Sequence, residues 1–175
     1  MNEFEFTLKF TIPDDAADRD TFVERLYESG CDDALIGVGQ PGRLALQFNR
    51  HANTAMDALK SAILDIRKVF PDAKLTEANP DLVGLTDLAQ LLGFSRQNMR
   101  KLMLTHETSF PSPLHDGRVK LWHLDNILGW FDSKQARTID PSLLDVARIT
   151  RQFNLARENQ ARDPGVSREI LKLGI

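Results

Sequence analysis

The chain has 175 residues, of which 42% are hydrophobic and 27% are charged, and its net charge is −3. This composition excludes wholesale disorder, and no stretch approaches the roughly 18 consecutive apolar residues that span a bilayer. One cysteine, Cys31, excludes an internal disulfide and a thiolate zinc site. The first residues lack the basic start and apolar run of a signal peptide, so we expect a cytoplasmic protein.

The first third of the chain predicts alternating strands and helices. Strict alternation of apolar and polar residues predicts a strand, and a helix then follows over Asp18–Ser29, with Gly30 as its stop. Leu35–Val38 and Leu44–Phe48 predict a hairpin, and Ala73–Ala78 predicts a fourth strand. The alternating residues of the first strand are Phe4, Phe6, Leu8, Phe10 and Ile12, and a second helix, closed by Pro71, is predicted from Met56, Leu59, Ile63, Ile66 and Phe70.

The resulting order, β-α-β-β-α-β, predicts an α+β fold that resembles the ferredoxin-like arrangement, a topology that carries no function by itself. We place the end of this unit, residues 1–79, before Pro80, which disfavours helix at Asn79. Residues 1–81 hold nine basic and fifteen acidic side chains, so the negative charge is concentrated here.

The segment from Leu85 to Met103 predicts two helices joined by a tight turn. We expect Thr86 to cap the first helix and Ala89 to let the second helix cross closely. Gly93 supplies the positive φ of the turn, and Ser95 caps the second helix. The apolar face of the first helix is predicted from Leu88, Leu91 and Leu92, and Phe94 is expected to fill the angle between the helices.

Long polar side chains should face outward from the second helix. Met99, Leu102 and Met103 share its inner face, which leaves the polar residues on the outside. Arginine suits guanine, amides suit adenine, and lysine suits phosphate or guanine. A solvated polar face with no specific partner is the alternative. The outward residues are Arg96, Gln97, Asn98, Arg100 and Lys101, and the free amides of Arg96 and Gln97 are suited to hold a phosphate.

Residues 110–131 predict a β-wing and a further helix. Turn residues and the basic Arg118 lead into a short strand over Val119–Trp122. We expect Trp122 and Trp130 to form core rather than base-stacking surfaces. The helix after the wing is predicted from Leu124, Ile127, Leu128 and Phe131, and a last helix from Leu143, Val146, Ile149 and Phe153.

Over residues 82–132 the chain resembles the excisionase/AlpA-like winged helix-turn-helix group of the MerR superfamily. The resemblance rests on Leu85-Thr86, Gly93-Phe94-Ser95-Arg96, Phe110-Pro111-Ser112-Pro113, the wing strand Gly117–Trp122 and Trp130-Phe131. It implies a site-specific binder of double-stranded DNA that acts as a transcriptional regulator or as a recombination accessory factor. By that resemblance Ser95, Arg96, Gln97, Arg100 and Lys101 would meet the major groove, and Arg118 and Lys120 the backbone or minor groove. Thr86 and Asn98 are further candidate DNA-binding residues.

We therefore expect a ferredoxin-like unit at 1–79, a winged helix-turn-helix at 82–135 and a helical extension at 140–175 in a homodimeric, non-enzymatic DNA-binding protein. Two alternatives stay open: a protein-interaction module, such as an antitoxin or adaptor, whose acidic first unit binds a partner protein, and a small-molecule sensor. We expect no cofactor and no metal. The glycines of Gly37–Gly42 match a dinucleotide fingerprint, but a strand follows where that fingerprint needs a helix. The histidines lack ligand spacing.

Overall fold

A computed structural model describes residues 1–13, 19–37, 40–134 and 138–174, with backbone alone at residues 19 and 20. The start of the expected first helix, the end of the second expected strand and the end of the expected 82–135 unit fall outside these ranges. The fold is α+β, with two antiparallel sheets. None of the helices in the described ranges combines the length and apolar character needed to cross a membrane.

The first part of the chain has the predicted element order and forms a four-stranded sheet of order β2-β3-β1-β4. The central strand β1 pairs with β3 and β4, and all neighbours are antiparallel. The elements are β1 (Asn2–Thr11), α1 (Arg19–Leu26), a π-helical turn (Tyr27–Cys31), β2 (Ala34–Gly37), β3 (Arg43–Ala52), α2 (Ala55–Val69) and β4 (Lys74–Asn79).

Strand β1 has the expected buried face, which lies in the first of two hydrophobic cores together with residues of β3 and α2. Phe6 stacks there on Phe48 of β3, with ring centroids 5.1 Å apart. The other face of β1 is mostly exposed, and we call it the open face of the sheet. Gly30 has φ 112°, a non-helical conformation, as expected of the residue that stops the first helix; α1 itself ends at Leu26, and the π-helical turn follows it. One expectation needs correction. Met56 is 43% exposed, because small alanines, rather than Met56, complete the buried face of α2.

A second core surrounds a small three-stranded sheet of order β5-β7-β6. Trp122 and Trp130 are both buried in it, as predicted. Strand β5 was not predicted, because its two residues carry no periodic pattern. The elements are β5 (Leu82–Val83), α3 (Leu85–Leu91), α4 (Arg96–Thr105), β6 (His115–Asp116), β7 (Lys120–His123) and α5 (Leu124–Ser133).

Two helices follow, α6 (Pro141–Asn159) and α7 (Pro164–Lys172). Helix α6 belongs to both cores, since Val146 is buried in the first and Leu144 and Ala147 in the second. Arg151 of α6 also binds both carboxylate oxygens of Asp125 on α5 at 2.9 Å. Helix α6 therefore joins the two parts of the molecule.

Asn154 of α6 pairs with the outer edge of β4. Its amide oxygen accepts from the Ala78 N–H at 2.9 Å, and its amide nitrogen donates to the Ala78 carbonyl at 2.8 Å. These are the two groups that a further strand would bind, so the side chain protects the edge from pairing with another chain. The same amide nitrogen donates to Asp81 at 2.8 Å, and Asp81 lies 2.7 Å from Nδ1 of His123 on β7. A buried polar network thus links α6, the chain after β4 and β7.

Candidate nucleic-acid interface

The connection between α3 and α4 is built around Gly93, which has φ 64°. This left-handed conformation suits glycine, as predicted, because it has no Cβ. Phe94 N–H donates to the Ala89 carbonyl at 2.8 Å, so the chain turns directly over the end of α3. Ala89 is only 2% exposed, in keeping with the need for a small side chain where the helices meet.

The start of α4 is capped as predicted, whereas the start of α3 is not. Ser95 Oγ accepts from the Asn98 N–H at 3.1 Å. The cap of α3 is Gly84, whose N–H donates to the Asp87 carboxylate at 2.9 Å. The prediction that Thr86 caps α3 is therefore wrong. Thr86 lies in the first turn of the helix, where its side chain is exposed.

The inner face of the two helices holds α4 in place. Met99 is fully buried, and Leu102 and Met103 are half-buried against the second core. Phe94 stacks on Phe131 of α5 with ring centroids 6.2 Å apart, which fits its expected place in the angle between the helices. Leu91, expected on the buried face of α3, is instead 42% exposed because Leu88 and Leu92 already fill that face.

The outer face of α4 carries the polar side chains that the sequence singled out. Arg96, Gln97, Asn98, Arg100 and Lys101 are all exposed. The first turn of α4 contains no acidic residue. Within the described ranges, the cations Arg96, Arg100 and Lys101 take part in no ion pair, and the amides of Arg96 and Gln97 donate no hydrogen bond. A shallow depression of about 670 Å³ lies against Gln97, Arg100 and Lys101.

The β6–β7 hairpin carries one unpaired and one paired cation. Arg118 is exposed in the turn and has no ion pair with any described residue. Lys120 pairs with Asp116 at 2.8 Å, because the strand register sets these two residues opposite each other. The resemblance places Lys120 at the DNA backbone or minor groove, and Asp116 is a competing partner for its ammonium group. Trp122 Nε1 donates to the Pro111 carbonyl at 3.0 Å, which fixes the start of the hairpin.

Two groups in the first core have shifted pKa values. Burial alone would lower the pKa of Arg50, but hydrogen bonds and charge from Asp33 and Asp65 raise it above its ordinary value. Burial raises the pKa of the Cys31 thiol to about 11, against a smaller opposite effect of its Ser29 contact.

In the described ranges, no three His, Cys, Asp or Glu side chains form a group suited to a metal ion. Strand β3 begins directly after Gly42, so the expected strand context of the glycine fingerprint is confirmed.

Asp81, His123 and Asn154 were missed by the sequence analysis. Asp81 is 3% exposed, and a buried charge of this kind needs partners. Those partners lie 42 and 73 residues away along the chain. An aspartate directly after proline carried no sequence signal of this role.

No family model, curated protein or solved structure matches this chain.

Proposed function

We propose that this chain is a sequence-specific double-stranded DNA-binding protein that acts in transcription regulation or recombination and has no enzymatic role. The observation that carries the proposal is the outer face of α4, with three cations free of ion pairs among the described residues, on a helix anchored by a fully buried Met99. A ten-residue helix is about 15 Å long and, with its side chains, about 10–12 Å in diameter. The major groove of B-DNA is about 12 Å wide and therefore accepts such a helix.

The finer fold assignment belongs to the same proposal. The strand order β2-β3-β1-β4 with two intervening helical crossovers supports a ferredoxin-like first unit. Two helices joined at Gly93 and followed by the β6–β7 hairpin support a winged helix-turn-helix similar to the excisionase/AlpA-like group. We expect a homodimer in the cytoplasm, because two copies double the bases that are read.

Within this proposal the contacts differ in their role. Arg100 and Gln97 present donors for base edges, whereas Lys101 and the free amides at the start of α4 suit phosphate. Arg118 is available for the backbone or minor groove. Lys120 contributes less than the sequence implied, because DNA must compete with Asp116 for its ammonium group.

The alternative of an acidic surface that binds a partner protein has less support. Asp33 and Asp65 are occupied by Arg50, and Glu77 is occupied by Lys9 at 2.7 Å. Three acids of the first unit therefore already have an internal partner.

The test is selection of bound duplexes from a random pool, followed by binding titrations at several salt concentrations. We expect a preferred sequence and an affinity that falls linearly with salt on logarithmic axes. Arg100→Ala should relax preference at one base position, with a loss of about 1–3 kcal/mol there. Lys101→Ala should weaken binding to all sequences and reduce the salt slope by about one.

The matched control is Arg67→Ala, which removes an exposed arginine from α2 in the first unit. It should leave sequence preference and affinity unchanged. Failure to select any sequence, or equal losses in all three variants, contradicts the proposal.

A further inference from the structure

A cavity of about 510 Å³ lies between the open face of the first sheet and the C-terminal half of α6. Its walls include Lys9 and Arg43 from the sheet, Glu77 from β4, Leu82 from β5 and Arg157 from α6. Cavities of about 300–1,000 Å³ are the usual size for small-molecule sites in proteins. The cavity lies apart from the outer face of α4, none of whose residues lines it.

The cations around the cavity are incompletely partnered. Lys9 pairs with Glu77 at 2.7 Å, and an Arg157 terminal nitrogen lies 3.1 Å from Glu158. The Nε of Arg157, however, is buried without a hydrogen-bond partner in the described structure. Arg43 likewise has no ion pair with any described residue. A buried N–H without an acceptor is costly, so an acceptor group brought by a ligand would be stabilised here.

We propose that this cavity binds a small carboxylic acid. A carboxylate supplies the acceptor oxygens that two guanidinium groups recognise. Ala45 and Leu82 give the walls apolar surface for a short carbon chain. Glu77 and Glu158 are nearby, so a doubly charged phosphate is repelled more strongly than a singly charged carboxylate. The two glutamates can also accept from a donor at the far end of the ligand.

The neighbouring aspartate does not oppose this arrangement. Asp81 also lines the cavity, but one of its oxygens faces His123 at 2.7 Å and the other accepts from Asn154 at 2.8 Å. Both carboxylate oxygens of Asp81 are therefore already engaged by side chains of the protein. Of the two arginines, Arg43 is exposed and has no ion pair with a described residue, and Arg157 keeps its Nε without an acceptor there.

The experiment is a thermal-unfolding and calorimetric titration of the full chain with propionate, succinate and glutamate, and with inorganic phosphate at matched ionic strength. We expect at least one carboxylate to raise Tm by about 3 °C or more at saturation. Arg43→Gln and Arg157→Gln should each weaken its binding at least tenfold. The control Arg67→Gln should bind as the unchanged protein does.

Ala45→Leu provides a second test that does not remove charge, because the larger side chain occupies part of the cavity and should weaken binding. No Tm increase with any of the three carboxylates overturns the proposal. It is also overturned by equal increases in all variants, which indicate a general salt effect, or by tighter binding of phosphate than of the carboxylates. The readout needs no DNA, so failure here leaves the DNA-binding proposal untouched.

Discussion

Arg50 is a buried cation with a complete set of acceptors. Its guanidinium binds both oxygens of Asp33 at 2.8 and 2.9 Å, Asp65 at 2.9 Å and the Gly30 carbonyl at 2.6 Å. It also lies over the ring of Phe48, 4.9 Å from its centroid. Arg50→Met should lower the free energy of unfolding by about 3 kcal/mol, because it leaves Asp33 without its cation and Asp65 with Lys68 alone. Urea denaturation followed by circular dichroism measures the loss.

The control for this prediction is Arg43→Met, which removes an exposed arginine seven residues earlier on the same strand. It should change stability by less than about 0.5 kcal/mol. Equal stability of the two variants would show that the buried cation contributes little.

Cys31 gives a prediction that depends on pH. The thiol is fully buried, and its folded-state pKa of about 11 lies above the ordinary value of 9.0. The protonated thiol therefore stabilises the fold below about pH 9, and this contribution is lost as the pH rises through 11. At pH 8 the folded protein should react with a disulfide reagent at least about a hundredfold more slowly than the protein unfolded in guanidinium. Rates within tenfold of each other would contradict the burial of this thiol.

At the scale of the element, two glycines should respond in opposite ways to the same change. Gly93 has φ 64°, so Gly93→Ala should cost roughly 1–2 kcal/mol of stability. Gly129 lies inside α5, and no atom outside its own helix backbone lies within 4 Å of the place that an alanine Cβ would take, so Gly129→Ala should gain up to about 1 kcal/mol. Thermal unfolding of both variants tests the turn. A neutral result at Gly93 would indicate that the connection between α3 and α4 has another conformation.

The link between α6 and β4 can be tested at Asn154. Asn154→Ala removes three hydrogen bonds and leaves the Ala78 N–H and carbonyl buried beside the helix. We expect a loss of about 2–3 kcal/mol in urea denaturation. Asn159→Ala, at the exposed end of the same helix, is the control and should have little effect. Similar losses in the two variants would count against a specific role for the Asn154 amide.

The elements that could be predicted are those fixed by local periodicity. Strand β1 alternates strictly, and α6 repeats its apolar residues at helical spacing, so both followed from the sequence. Strand β5 could not be predicted, because two residues form a strand only when β7 lies beside them. The role of Asn154 depends on the free edge of β4, which exists only in the assembled sheet.

In the candidate site, too, the features that depend on nearby residues could be predicted and those that depend on the assembled structure could not. The Ser95 cap and the outward side of α4 follow from residues within a few positions, and both could be predicted. The cap at Thr86 was wrong because Asp87 reaches back to the Gly84 amide and starts the helix earlier. The pairing of Lys120 with Asp116 could not be predicted, because the strand register that sets them opposite each other is not visible in the sequence.

At the scale of the whole molecule, charge is distributed in a way that suits a polyanion despite a net charge of −3. In the described structure, acids of the first unit such as Asp33 and Asp65 bind buried Arg50, whereas the cations of α4 have no such partners. The electrostatic potential of a surface charge falls off over roughly 8–10 Å at physiological salt. For binding a polyanion, the charge on the surface of α4 therefore matters more than the net charge of the chain.

Helix α6 should make the two cores unfold together. Both tryptophans lie in the second core, so their fluorescence reports on that core, while circular dichroism reports on the whole chain. Val146 is 1% exposed and packs in the first core, and Val146→Ala should cost about 1–2 kcal/mol. Because α6 also holds Ala147 in the second core, the urea midpoint of tryptophan fluorescence should fall together with that of circular dichroism.

The control is Val166→Ala on α7, where the side chain is 56% exposed and neither midpoint should move. A fall in the dichroism midpoint with an unchanged fluorescence midpoint would mean that the cores unfold separately. In that case α6 would be an attachment to the second core rather than a shared element. Coincident shifts would instead mean that a loss of packing beneath the first sheet reaches the core that supports α4, because one helix belongs to both.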